Sequence, residues 1–135
     1  MSDRVTHTAH KRLEYLPHGS AHIEFTIIEN EDGNPYILGT SLISYDTYVA
    51  SVDIYLDKEE DYTIVYYCSG TYSQTTRKHI NRFSKEVTPW LSYYDYKAMA
   101  ESETGVIEES GNAERYYSLY RYFLHNCYNA YRYIG

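Results

Sequence analysis

Basic charge is scarce in this sequence. Twelve Lys and Arg stand against nineteen Asp and Glu, a formal net charge of -7, so the chain as a whole repels polyanions at long range. Cysteine is almost lacking: Cys68 and Cys127 lie far apart and form no Cys-x-x-Cys pair. Both read as small buried hydrophobes of a reducing compartment. No apolar run approaches the ~20 residues that span a bilayer. The opening MSDRVTHTAHKR also has no apolar stretch of the kind a secretory leader carries. The expectation is a cytoplasmic protein with no membrane partner. Catalytic signatures are missing too: there is no P-loop, GxGxxG, HExxH or GxSxG element, so the chain reads as a non-enzyme without a cofactor.

What is abundant is tyrosine, nineteen residues against three Phe and one Trp. Tyr combines a large apolar ring with a hydroxyl that seeks a partner, a combination favoured in recognition surfaces. Hydrophobic residues at 43% and charged ones at 23% are globular proportions. A chain of 135 residues suits one self-supporting domain, 1–135. The polar first twenty residues are expected to be loosely ordered. Their histidines, His7, His10 and His18 with His22 beyond, have neither Cys nor paired carboxylates beside them, and Pro17 and Gly19 oppose a helix. No metal site is read there.

Period-two alternation marks the strands. Ala21, Ile23, Phe25 and Ile27 share one face, and Asn30 to Pro35 is a turn cluster. Tyr36–Tyr45 returns, and a slip of parity around Asp46-Thr47 predicts a bulge or tight turn before Tyr48–Leu56. Tyr62–Cys68 supplies Ile64, Tyr66 and Cys68 to one face. Helices are expected over 75–87, 90–100 and, from the cap Asn112, 112–133. A brief strand at Val106-Ile107 lies within an acidic loop. The fold class is therefore α+β: an antiparallel meander of three or four strands, covered on one face by two or three helices, the last of them long.

The segment after Gly70 holds the candidate site. Thr76, Ile80, Phe83 and Val87 form an apolar stripe at helical spacing, with Lys78, Arg82 and Lys85 opposite. Four of the twelve basic residues fall between Arg77 and Lys85, a local concentration suited to an anionic contact. Thr75, Thr76, Arg77 and Lys78, at a helix start that Ser73, Thr75 or Thr76 could cap, also suit a phosphate. Tyr72 would add stacking and His79 lies one turn along. Ser73, His79 and Asp53 make a triad only on paper, because nothing in the sequence brings them together. The C-terminal helix has an unusually wide apolar arc. Tyr117, Tyr128 and Tyr131 at its edge are the candidate interface of a homodimer.

Ser44-Tyr45-Asp46-Thr47-Tyr48-Val49-Ala50, followed by Tyr72-Ser73-Gln74-Thr75-Thr76-Arg77-Lys78-His79-Ile80-Asn81-Arg82-Phe83, resembles a pattern of small uncharacterised bacteriophage and mobile-element proteins. That pattern is S-Y-x-T-x-V-A, then Y-S-x-T-T-x-x-H-I-x-x-F. The resemblance implies a phage-type accessory protein and carries no activity. With the missing catalytic signatures, the leading expectation is non-catalytic binding that inhibits or redirects a host factor, such as a defence nuclease complex. One alternative is nucleic-acid or nucleotide-phosphate binding through the basic helix. Another is an acidic DNA mimic built on Asp57, Glu59, Glu60 and Asp61 with Glu101, Glu103, Glu108 and Glu109.

Overall fold

The alternating segments pair in the order in which they occur along the chain. The computed structural model describes residues 6–12, 21–70 and 73–134, with backbone alone for 6–12, 57–59 and 128–134. Six strands, β1 (Thr6–Arg12), β2 (Ala21–Glu29), β3 (Pro35–Ser44), β4 (Thr47–Tyr55), β5 (Ile64–Cys68) and β6 (Val106–Glu109), form one antiparallel sheet in sequential order. Of the three or four strands expected between Ala21 and Cys68, four are present, as β2 to β5. The sheet extends beyond them at both edges, through β1 and β6. This is an α+β fold, with α1 (Gln74–Val87), α2 (Tyr93–Glu101) and α3 (Ala113–Ile134).

Register explains the two faces of the sheet. Ile23 pairs with Leu42 and Phe25 with Thr40, Leu42 with Ala50 and Thr40 with Val52, and Val52 with Tyr66. All of these are buried. Side chains one residue out of phase, His22, Glu24, Ser41, Asp53 and Tyr67, are only half-buried. The helices lie on the first face: α1 packs on β3, α2 on β5, and α3 on β1, β3 and β4. Phe123 of α3 meets Phe25 edge-on at 5.5 Å, and Phe83 of α1 meets Tyr96 of α2 at 6.1 Å.

The parity slip resolves into two devices. Tyr45 and Asp46 both have positive φ, 50° and 71°, which makes the tight turn between β3 and β4. The register then shifts between Leu42 and Ile43, so that Ala50 opposes Leu42 while Tyr48 opposes Ile43. Val49 is the extra residue. It turns inward and is 3% exposed, while Tyr48 turns outward. The bulge therefore lies just past the slip expected at Asp46-Thr47, and its one extra residue sets Tyr48 on the face opposite Ala50 and Val52.

The second helix starts later than its spacing suggested. Ser92 caps α2 by accepting from the Asp95 backbone N–H, and the Asp95 carboxylate accepts from the Ser92 N–H. This reciprocal pair sets the start at Tyr93. It leaves Trp90 in the preceding turn, where its indole N–H donates to the Tyr66 hydroxyl at 3.1 Å. Tyr66 donates in turn to Glu109, which Arg115 of α3 also holds at 2.7 Å. Cys68 and Cys127 are both buried free thiols, and burial pushes Cys127 up to about 11.

Candidate functional site

Helix α1 begins where Ser73 Oγ accepts the Thr76 N–H at 3.2 Å and ends at Thr88, whose N–H bonds to the Ser84 carbonyl, just before Pro89. The helix has two different flanks. Thr76, His79, Ile80, Phe83, Ser84 and Val87 are buried against the sheet and α2. Thr75, Arg77, Lys78, Asn81 and Lys85 are exposed, and Arg82 is half-buried. The structure therefore divides the residues singled out in the sequence. Thr76 is buried with the stripe to which its spacing assigned it, and His79 falls within the same inward arc, so neither is available to the anion site read at the helix start. Tyr72 lies outside the described residues.

On the inward flank, the two sequence segments Ser44–Ala50 and 72–83 meet. Ser44, the last residue of β3, places Oγ 2.7 Å from His79 Nδ1. Thr76 Oγ1 lies 3.4 Å from the same Ser44 oxygen and 3.2 Å from Ser73 Oγ. Ser44 and His79 are each 2% exposed. The Tyr45 ring sits 5.6 Å from the imidazole. Burial lowers the His79 pKa, which favours the neutral ring. A cavity of about 390 Å³ opens above this chain of hydroxyls, lined also by Thr47, Val49, Ser69 and Gly70. The chain ties the β3–β4 hairpin to the start of α1.

The paper triad does not form. Ser73 caps the helix and His79 bonds to Ser44. Asp53 stands on the other face of the sheet, paired with Gly39 and Val65. A Cβ on Gly39 would meet Asp53 Oδ1 at 2.6 Å, so the carboxyl lies in the slot that the glycine leaves. Burial there pushes Asp53 up to about 6.

On the outward flank, α1 and α2 enclose a cleft of about 340 Å³ lined by Gln74, Arg77, Lys78, Asn81, Tyr93 and Tyr94. The Arg77 guanidinium lies over the Tyr93 ring, 4.9 Å from its centroid. Tyr93 meets Tyr94 edge-on at 5.6 Å, and Tyr94 remains 71% exposed. The geometry is that of a cation held in place by one aromatic ring, with a second ring free for a ligand. Sequence reasoning missed Gln74, Asn81 and the tyrosine pair. The spacing of Gln74, Arg77/Lys78 and Asn81 was a readable signal for one helix face, but nothing local signalled that α2 would stand beside it.

Other sequence candidates also find places. Tyr117 is 37% exposed, with its ring edge-on to Tyr62 and Tyr116. The side chains of Tyr128 and Tyr131 lie outside the described residues. Glu60, Asp61, Glu101, Glu103 and Glu108 are exposed. The 3-10 helix (Leu56–Asp61) and the end of β6 are neighbours, since Gly111 N–H donates to the Asp61 carbonyl. Among the described residues no three His, Cys, Asp or Glu side chains group as metal ligands, and no helix is long and apolar enough to cross a membrane.

Both flanks of α1, with the hairpin beneath, fall within a family match over residues 17–89, more than half of the chain. The chain belongs to DUF8033, a family of unknown function. The match contains the whole meander β2 to β5 together with α1, and α2 and α3 follow it. The hydroxyl–histidine chain is thus built entirely within the DUF8033 region, whereas Tyr93 and Tyr94 lie beyond it. No curated protein and no solved structure matches the chain.

Proposed function

We propose that this DUF8033 protein acts by non-catalytic binding and that the outward face of α1, with the adjoining cleft, holds an anionic surface of a macromolecular partner. The observation that carries this reading is the division of α1. The Thr76 hydroxyl and the His79 imidazole turn inward and both bond to Ser44, while Arg77, Lys78 and Lys85 remain exposed together. On an acidic chain of net charge -7, that face is the natural contact for negative charge. In the phage-type accessory role that the sequence resemblance implies, the partner is a host factor, such as a defence nuclease complex. Occupation of its surface, not chemistry upon it, is then the effect.

The test is affinity capture from host lysate with the wild-type chain and a Lys78→Glu/Lys85→Glu variant. A stoichiometric partner retained by the first and lost by the second is expected. Equal capture by both would reject α1 as the contact.

A further inference from the structure

The cleft between α1 and α2 has the chemistry of a nucleotide site. Gln74, Arg77/Lys78 and Asn81 recur at three- to four-residue spacing along one side of α1, so their side chains line one wall. Tyr93 and Tyr94, the first two residues of α2, form the other wall. Gln74, Lys78 and Asn81 make no side-chain hydrogen bond among the described residues, so their donors and acceptors are available to a ligand. Two carboxamides, each both donor and acceptor, match the edge of a base. Lys78 and Arg77 supply phosphate contacts, and Lys97 stands one turn along α2 from Tyr94.

Tyr94 completes the set. Its neighbour Tyr93 already carries the Arg77 guanidinium and touches Tyr94 edge-on at 70°, which leaves Tyr94 open to stack. We propose that this cleft binds single-stranded nucleic acid, with one base stacked on Tyr94 and read by Gln74 and Asn81. The backbone then runs along Lys78 toward Lys85. The inference rests on the anionic-partner reading of α1 and names the partner's chemistry.

Single strands are favoured over duplex for a geometric reason. A duplex is read by an element that protrudes into a groove about 12 Å wide, whereas α1 is flanked by α2 and offers a recess. A cleft of about 340 Å³ is at the small end of ligand sites. Its scale suits a single base splayed out of its strand, whereas a base held within a stack has no face free for Tyr94. An acidic protein surface is the rival occupant of the same cations, but it leaves the stacking face of Tyr94 and the two carboxamides unused.

Fluorescence anisotropy of the full chain with labelled mixed-sequence DNA and RNA strands of about 12 nucleotides tests the proposal. Matched duplexes serve as the comparison. Binding to single strands in the micromolar range is expected at about 50 mM salt and weakens toward about 200 mM. Tyr94→Ala should weaken it roughly tenfold to a hundredfold, while Tyr94→Phe retains it. Because Tyr94 is 71% exposed, neither change touches the core. Lys78→Ala should lower the salt slope by about one.

No anisotropy change up to about 100 µM protein overturns the proposal, as does equal affinity for duplex or indifference to Tyr94→Ala. A second arm repeats the lysate capture after nuclease digestion. A Lys78- and Lys85-dependent protein partner that survives digestion sinks the nucleic-acid inference while leaving the anionic-contact reading standing. Loss of the captured partner on digestion supports the inference.

Discussion

Ser44 and His79 carry the most informative single contact in the protein. The bond is buried at both ends, so removing one partner leaves the other short of a buried hydrogen bond. Ser44→Ala should cost about 1–3 kcal/mol in urea unfolding. The imidazole also sets a pH dependence. Its folded pKa lies below the ordinary value, so above about pH 6.5 the ring is neutral whether folded or not. Below that, the unfolded chain takes up a proton that the folded one resists, and stability falls as pH falls. His79→Gln should flatten this acid limb. Asp53 acts in the opposite direction. With its folded carboxyl at about 6 against about 3.9 in an open chain, the folded state holds the extra proton between those values. Stability therefore declines as pH rises through that window. Asp53→Asn should raise stability at pH 7 by up to about 3 kcal/mol and leave it nearly unchanged at about pH 3, where both states are largely protonated. A pH series of thermal unfolding curves separates the two residues.

Among the elements, α1 owes its place to its buried stripe, of which Phe83 is fully buried and edge-on to Tyr96. Phe83→Ala should cost about 3–5 kcal/mol and detach α1 from α2. The last strand depends on one glycine. Gly105 has φ +73°, its carbonyl accepts from Cys68 N–H, and a Cβ there would lie 2.9 Å from the Cys68 carbonyl. Gly105→Ala is therefore strained twice, by backbone conformation and by contact, at a cost of more than about 1 kcal/mol. Hydrogen exchange should show the loss at the β5–β6 pairing first, with β2 and β3 still protected. The central strands were legible because one side of each is buried, which writes hydrophobic alternation into Phe25 or Val52 and their neighbours. The edges were less so. Val106-Ile107 reads as a brief strand only, since Val106, Ile107 and Glu108 of β6 are all exposed, and β1, THTAHKR, has Ala9 as its one apolar residue. Such strands exist by pairing with a neighbour, and pairing leaves little periodic trace.

At the scale of the whole molecule, charge is segregated. Cations gather on the outward flank of α1, while among the described side chains the carboxylates of Glu60 and Asp61 stand near those around β6. Capture of an anionic partner should therefore weaken steeply as salt rises, with a screening length of about 8 Å at physiological ionic strength. The Lys78→Glu/Lys85→Glu variant should lose this salt dependence with stability within about 0.5 kcal/mol of wild type, since both side chains are exposed.

The α1 stripe, its basic back, the four central strands and the turn near Asp46 follow from the sequence alone. Each depends on a period of two or 3.6 residues, or on a turn propensity, and all of these act between near neighbours in the chain. Three features were decided by the tertiary structure. Val49 turned inward through a bulge, Ser44 met His79 across 35 residues, and α2 brought Tyr94 beside Lys78 to make a cleft of a helix face. Each depends on how elements distant in the chain pack against one another, and local periodicity carries no record of that.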